Sequence, residues 1–87
     1  MERYELTIKA SAAGELEKLR FRDDRRRIVK RIGQLADSPR PRGCEKLSGR
    51  TDLYRVRQGD FRIVYAVDDE NRRVRIVKIG QRREVYR

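Results

Sequence analysis

The sequence predicts an α+β domain with an N-terminal strand, a two-helix hairpin and then a three- to four-stranded antiparallel sheet. Three observations carry that prediction. Tyr4, Leu6 and Ile8 alternate with polar residues at the start, apolar residues recur at helical spacing from Ile28 to Ala36, and three runs rich in Val, Ile, Tyr and Phe follow from Leu53 onward. A sheet that buries one face against two helices is the simplest packing of such an order.

Each element has its own signal. Glu5, Thr7 and Lys9 between Tyr4, Leu6 and Ile8 give the period of two expected of a half-buried strand. Ser11 is the expected cap of a first short helix through Glu15, Leu16 and Leu19, which Gly14 weakens by about 1 kcal/mol relative to Ala. Asp23 or Asp24 opens a second helix, where a carboxylate suits both the free amides and the positive end of the dipole. Ile28, Ile32, Leu35 and Ala36 form its core stripe and leave Arg25, Arg27, Lys30 and Arg31 on the surface, before Pro39 and Pro41 end the helix. Residues 38–51 read as a connecting loop with a short extended piece at Lys46 and Leu47. Residues 53–58, 61–68 and 73–79 are the sheet strands. Asp68, Asp69, Glu70 and Asn71 mark the second hairpin turn, whose loop length leaves the faces of Val74 to Ile79 open.

Composition narrows the function. With 87 residues the chain feeds one core and is expected to be one domain spanning residues 1–87. Its 44% charged residues would suit a disordered tail, but the periodic apolar pattern argues for a folded chain. The net charge of +10 comes mostly from arginine, whose planar fork binds phosphate bidentately and stacks on bases, so a nucleic acid or an acidic protein is the expected partner. Cys44 is the lone cysteine, no leader-like apolar stretch opens the chain, and the longest apolar run covers only residues 63–67. A cytoplasmic protein with no membrane contact is expected.

Gly59-Asp60 suits a two-residue hairpin turn with glycine first, which would set Gln58 opposite Phe61 and Arg57 opposite Arg62. Arg55, Arg57 and Arg62 then share one face, with Tyr54, Val56, Ile63 and Tyr65 on the other. Like charges placed together destabilise a sheet unless an anion sits among them; a simply solvated face is the alternative. The absence of histidine excludes paired-histidine RNA cleavage and most zinc chemistry. Asp68, Asp69 and Glu70 are adjacent at one turn, whereas metal clamps gather carboxylates from several elements, so no metal and no cofactor are expected. Catalysis would rest on arginine for charge stabilisation and on tyrosine for proton transfer or positioning.

The segment from Leu53 to Tyr65, which reads LYRVRQGDFRIVY, resembles the RelE branch of the RelE/ParE toxin superfamily of toxin-antitoxin systems. So do the ending GQRREVYR, from Gly80 to Arg87, and the lead-in Lys46-Leu47-Ser48-Gly49. With the preceding strand and helices the resemblance covers nearly the whole chain. It implies a toxin that enters the ribosomal decoding site, cleaves the bound messenger RNA and is restrained by a cognate antitoxin in a hetero-oligomeric complex. It also implies that Arg55 and Arg57 stand where the family places basic strand residues, and that Arg62 matches the phosphate-contacting arginine. Arg82 matches the proposed general acid, with Arg83 the alternative and a further RNA contact, and Tyr86 matches the ring that stacks on or orients the RNA. Arg replaces the Lys of strongly active relatives, and Gln81 stands where many have His, so cleavage is expected to be slow or to depend strongly on the ribosome. A ParE-like inhibitor of DNA gyrase shares the fold and is the runner-up; a non-catalytic RNA-binding module is the third reading, disfavoured for want of aromatic platforms.

Overall fold

A computed structural model describes residues 3–47, 49 and 52–81. The chain runs β1 (Glu5–Ile8), α1 (Ala10–Glu17), α2 (Arg22–Asp37), β2 (Glu45–Lys46), β3 (Leu53–Gln58), β4 (Phe61–Asp68) and β5 (Arg73–Gln81). The strands form one five-stranded sheet in the order β1-β5-β4-β3-β2. The α+β architecture is as expected, but the sheet is mixed, because β1 lies parallel to the last strand, β5, while all other pairs are antiparallel. The helical pair acts as a crossover that leaves the first strand free to take the outer edge of β5.

The helix starts differ from the sequence expectation for a local reason. The Lys9 amide donates to the Ile76 carbonyl at 2.8 Å, which holds Lys9 extended at φ −60, ψ 142, so α1 begins at once at Ala10. Lys9 is therefore the cap, Ser11 lies inside the helix, and no side chain caps it. Phe21 takes the cap position of α2, and Asp23 and Asp24 fall in its first turn, still well placed against the helix dipole. The extended piece of the connector lies one residue earlier than expected, at Glu45–Lys46.

One sheet face and the stripe of α2 make the core. Ile28, Ile32 and Leu35 pack with Tyr54, Val56, Ile63, Tyr65, Val74, Ile76 and Ile79. Burying a side chain of this size contributes roughly 1.5–3 kcal/mol, so these residues dominate the stability. Gly59 adopts φ 60, and the β3–β4 hairpin pairs Gln58 with Phe61 and Arg57 with Arg62, the register the turn residues imply. Between β4 and β5 the register shifts, Val64 facing Lys78 but Tyr65 facing Ile76. The extra residue, Val77, breaks the alternation, so Val74, Ile76 and Ile79 all reach the core.

Two polar ties complete the frame. The Arg40 guanidinium grips both oxygens of Asp69 at 3.1 and 2.6 Å, donates from Nε to the Tyr54 hydroxyl at 3.0 Å, and lies 5.1 Å from the centre of the Tyr54 ring. Tyr4 donates its hydroxyl to the same carboxylate at 2.7 Å, and Tyr65 donates to the Pro39 carbonyl at 2.7 Å. The loop after α2 is thus fastened to the β4–β5 turn. On the other side, β1 ends opposite Ile76, and Glu15 of α1 takes over the edge of β5. Its carboxylate accepts the Ile79 amide at 3.0 Å and binds Lys78 Nζ at 3.0 Å. Among the described residues no helix is long and apolar enough to cross a membrane.

Candidate active site

Volume does not identify the site, but charge does. One hollow, about 800 Å³ between the α1–α2 turn and the β3–β4 hairpin, is lined by Lys18, Arg20 and Arg27 but also by Glu15, Asp24 and Asp60, so these charges cancel. A second hollow, about 470 Å³ on the outer sheet face, sets Arg73 and Arg75 against Glu5, Asp52 and Asp68. The third, about 430 Å³, is lined by Arg31, Arg55, Arg57 and Arg62, with Glu45 the only carboxylate among its described lining residues. Such a concentration of guanidinium groups is a phosphate-binding surface by its chemistry.

The β3–β4 hairpin builds most of this depression. Arg57 and Arg62 face each other across the two strands, and Arg55 lies two residues before Arg57 on the same side. The three are brought together as the turn register requires. They do not form a plain solvated face, however. Arg57 is exposed, Arg55 is half-buried, and Arg62 is only 4% exposed, the one buried charged side chain among the described residues. A guanidinium held out of water is tolerated only with good compensation, and its planar fork remains suited to a phosphate. Glu45, opposite Arg55 in the short β2–β3 pair, holds Arg55 Nη2 at 3.0 Å and so aligns one wall. Arg82, Arg83 and Tyr86, the expected C-terminal contributors, lie outside the described residues.

Two lining residues escaped the sequence reading. Arg31 was expected on the open surface of α2, yet it lines the depression. Its signal was present, since it stands three residues after Ile28 and beside Ile32, on the flank of the buried stripe. Glu45 left no such trace, because only the pairing of the two-residue β2 sets it opposite Arg55. The acidic turn serves structure instead. Asp68 accepts the Asn71 amide and side chain at 3.1 and 2.8 Å, and Asp69 is held by Arg40 and Tyr4, which lowers its pKa to about 2. Burial raises the pKa of the Tyr65 hydroxyl well above its ordinary value, so it remains a donor to Pro39. Among the described residues no cluster of His, Cys, Asp or Glu is arranged to hold a metal ion.

Comparison with known proteins gives a consistent result. Residues 6–86 match the family model described as the ParE toxin of the type II toxin-antitoxin system parDE. The toxin RelE of Mycobacterium tuberculosis is 33% identical over 84 residues, covering 97% of this chain and 87% of that protein. The archaeal RelE-RelB complex from Pyrococcus horikoshii superposes with a TM-score of 0.81 at 30% identity, covering 92% of this chain and 96% of that one. The isolated E. coli RelE toxin gives 0.78 at 32% identity, covering 95% and 90%. A matched family that spans almost the whole chain, with relatives that are RelE toxins in both sequence and fold, places this protein in the RelE branch of the RelE/ParE toxin superfamily.

Proposed function

We propose that the protein is the toxin of a toxin-antitoxin pair that cleaves messenger RNA on the ribosome, in the cytoplasm and without a metal ion. The observation that supports this most is the depression lined by Arg55, Arg57, Arg62 and Arg31 on a RelE-branch scaffold, the one described hollow with a large excess of positive charge. In this reading the ribose 2′-OH attacks the neighbouring phosphate. Arg62 and Arg82 stabilise the charge that develops there, with Arg82 also in line to protonate the leaving oxygen and Arg83 its alternative. Arg55 and Arg57 hold the strand, and Tyr86 stacks on or orients a base. Guanidinium groups do not readily accept a proton, so the ribosome is assigned the task of aligning the RNA and completing the proton transfer. The antitoxin is the second partner; RelE relatives from Pyrococcus horikoshii and E. coli crystallise with RelB.

Single-turnover cleavage on programmed ribosomes tests the reading, with EDTA present and with naked transcript as the comparison. Ribosome-bound message should be cut and naked transcript cut poorly. Arg62→Ala should lower the rate by roughly 10²-fold or more, the cost of losing a preorganised donor, while ribosome affinity changes less. Arg62→Lys, which keeps the charge at a buried position, guards against a folding defect. Parental cleavage by both variants, together with altered DNA supercoiling in cells, would transfer the toxin to the gyrase-directed class.

A further inference from the structure

Arg31, from α2, lines the depression together with the hairpin arginines. β2 pairs only opposite Tyr54 and Arg55, so among the described residues no strand flanks that edge of β3 beyond Arg55. A side chain from the flank of α2 reaches the gap, and Arg31 lines the same hollow as Arg55, Arg57 and Arg62. Its Nε is fully buried and has no hydrogen-bond partner among the described residues. Its Nη1 reaches Gln34 Oε1 at 3.5 Å, the limit of a hydrogen bond. Buried polar groups are nearly always satisfied, and an unsatisfied charged donor is costly enough to call for a partner.

Charge sets what that partner is. Among the described lining residues four arginines stand with one carboxylate, Glu45, so the hollow is chemically suited to an anion. Guanidinium groups spread along one hollow suit successive phosphodiesters of a single strand, each of which carries one negative charge. The two walls also differ in origin, three arginines from the hairpin and one from the helix. A strand lying in the hollow would meet both.

From these observations we infer that Arg31 is an RNA-binding residue, contacting a phosphate of single-stranded RNA that neighbours the one held by Arg62. This deepens the ribonuclease reading and rests on it for the identity of the strand. Arg31 acts in binding, and the chemistry stays with the hairpin and C-terminal residues.

Anisotropy titrations with a labelled, uncleavable 2′-O-methyl pentanucleotide across a salt series test this without needing cleavage. Arg31→Met keeps the packing stem and removes the charge. It should weaken binding about tenfold at low salt and reduce the slope of log affinity against log salt by about 0.7, one phosphate contact on a single strand. Arg31→Lys should retain the slope and lose part of the affinity, and Arg26→Met, on the exposed side of α2, should bind like the parent. Parental affinity and slope in Arg31→Met while Arg62→Lys or Arg62→Met weakens binding would overturn the assignment, as would an equal loss in Arg26→Met or no binding by the parent. An Arg31 dependence confined to an acidic peptide would overturn it too. Ribosomal cleavage, measured separately, keeps the two proposals apart. Arg31-dependent binding without any cleavage sustains this inference and removes the nuclease, whereas cleavage with Arg31-independent binding does the reverse.

Discussion

Asp69 shows how much a single exposed carboxylate can organise. Arg40 and Tyr4 both donate to it, and these bonds lower its pKa from 3.8 to about 2. A carboxylate whose pKa is depressed in the folded state adds stability above its unfolded pKa, and that contribution is lost as pH falls through the folded value. The Asp69 contribution is therefore complete above about pH 4 and disappears toward pH 2. Solvent screens the pair, since the Asp69 side chain is 56% exposed, so the effect is modest. Urea midpoints at pH 7, 4 and 2 should fall more steeply for the parent than for Asp69→Asn; parallel curves would exclude Asp69 as the source. The residues of the candidate site divide by the range of information each needs. Arg55, Arg57 and Arg62 were legible because a period of two and a two-residue turn carry facing information along the hairpin. Arg31 was not, because helical spacing tells which flank approaches the core but not that this flank meets an open strand edge.

At the scale of elements, the β3–β4 turn decides whether the arginines share a face. Gly59 holds φ 60 with no atom within 4 Å of a Cβ built there, so only the backbone resists substitution. Gly59→Ala should cost about 1–2 kcal/mol, the usual left-handed penalty, and Gly59→Asn less; equal stability of both with the parent in urea would contradict it. The edge of β5 offers a second test. Glu15 replaces a neighbouring strand by accepting the Ile79 amide, two residues before Gln81 and beside Gly80, which pairs with Arg62. Glu15→Ala should speed hydrogen exchange at Ile79 about tenfold, whereas Glu15→Gln, which keeps an acceptor, should change it little; unchanged exchange in Glu15→Ala would show that the carboxylate does not protect that edge. The strands and α2 were readable from periodicity because each is a local pattern. The parallel pairing of β1 was not, since alternation marks a strand as half-buried without naming its neighbour, and Val77 in the bulge shifted the faces of β5 out of the simple alternation.

For the whole molecule, the excess of positive charge and the small size act together. A chain of 87 residues with a net charge of +10 has a limited core and repels itself, so anything that binds the folded form raises its stability appreciably. For a toxin of this family the natural ligand is the antitoxin, and an acidic or amphipathic segment lying over Arg55, Arg57 and Arg62 would remove both burdens at once. Mass action gives about 2.7 kcal/mol when the free antitoxin stands at a hundred times its dissociation constant. In a domain this small each kcal/mol moves Tm by roughly 4–8 °C, so the complex should melt about 10–20 °C above the free toxin. Salt separates the two contributions. The screening length falls from about 10 Å at 0.1 M to about 3 Å at 1 M, which weakens the bound acidic segment while relieving self-repulsion in the free toxin. The gap between the two melting curves should therefore close from both sides as salt rises. A gap of the same width at 0.1 M and 1 M would mean that the antitoxin docks through apolar surface, with the arginine depression left uncovered; in that case the complex should still bind the uncleavable pentanucleotide, whereas a charge-neutralising antitoxin should block it.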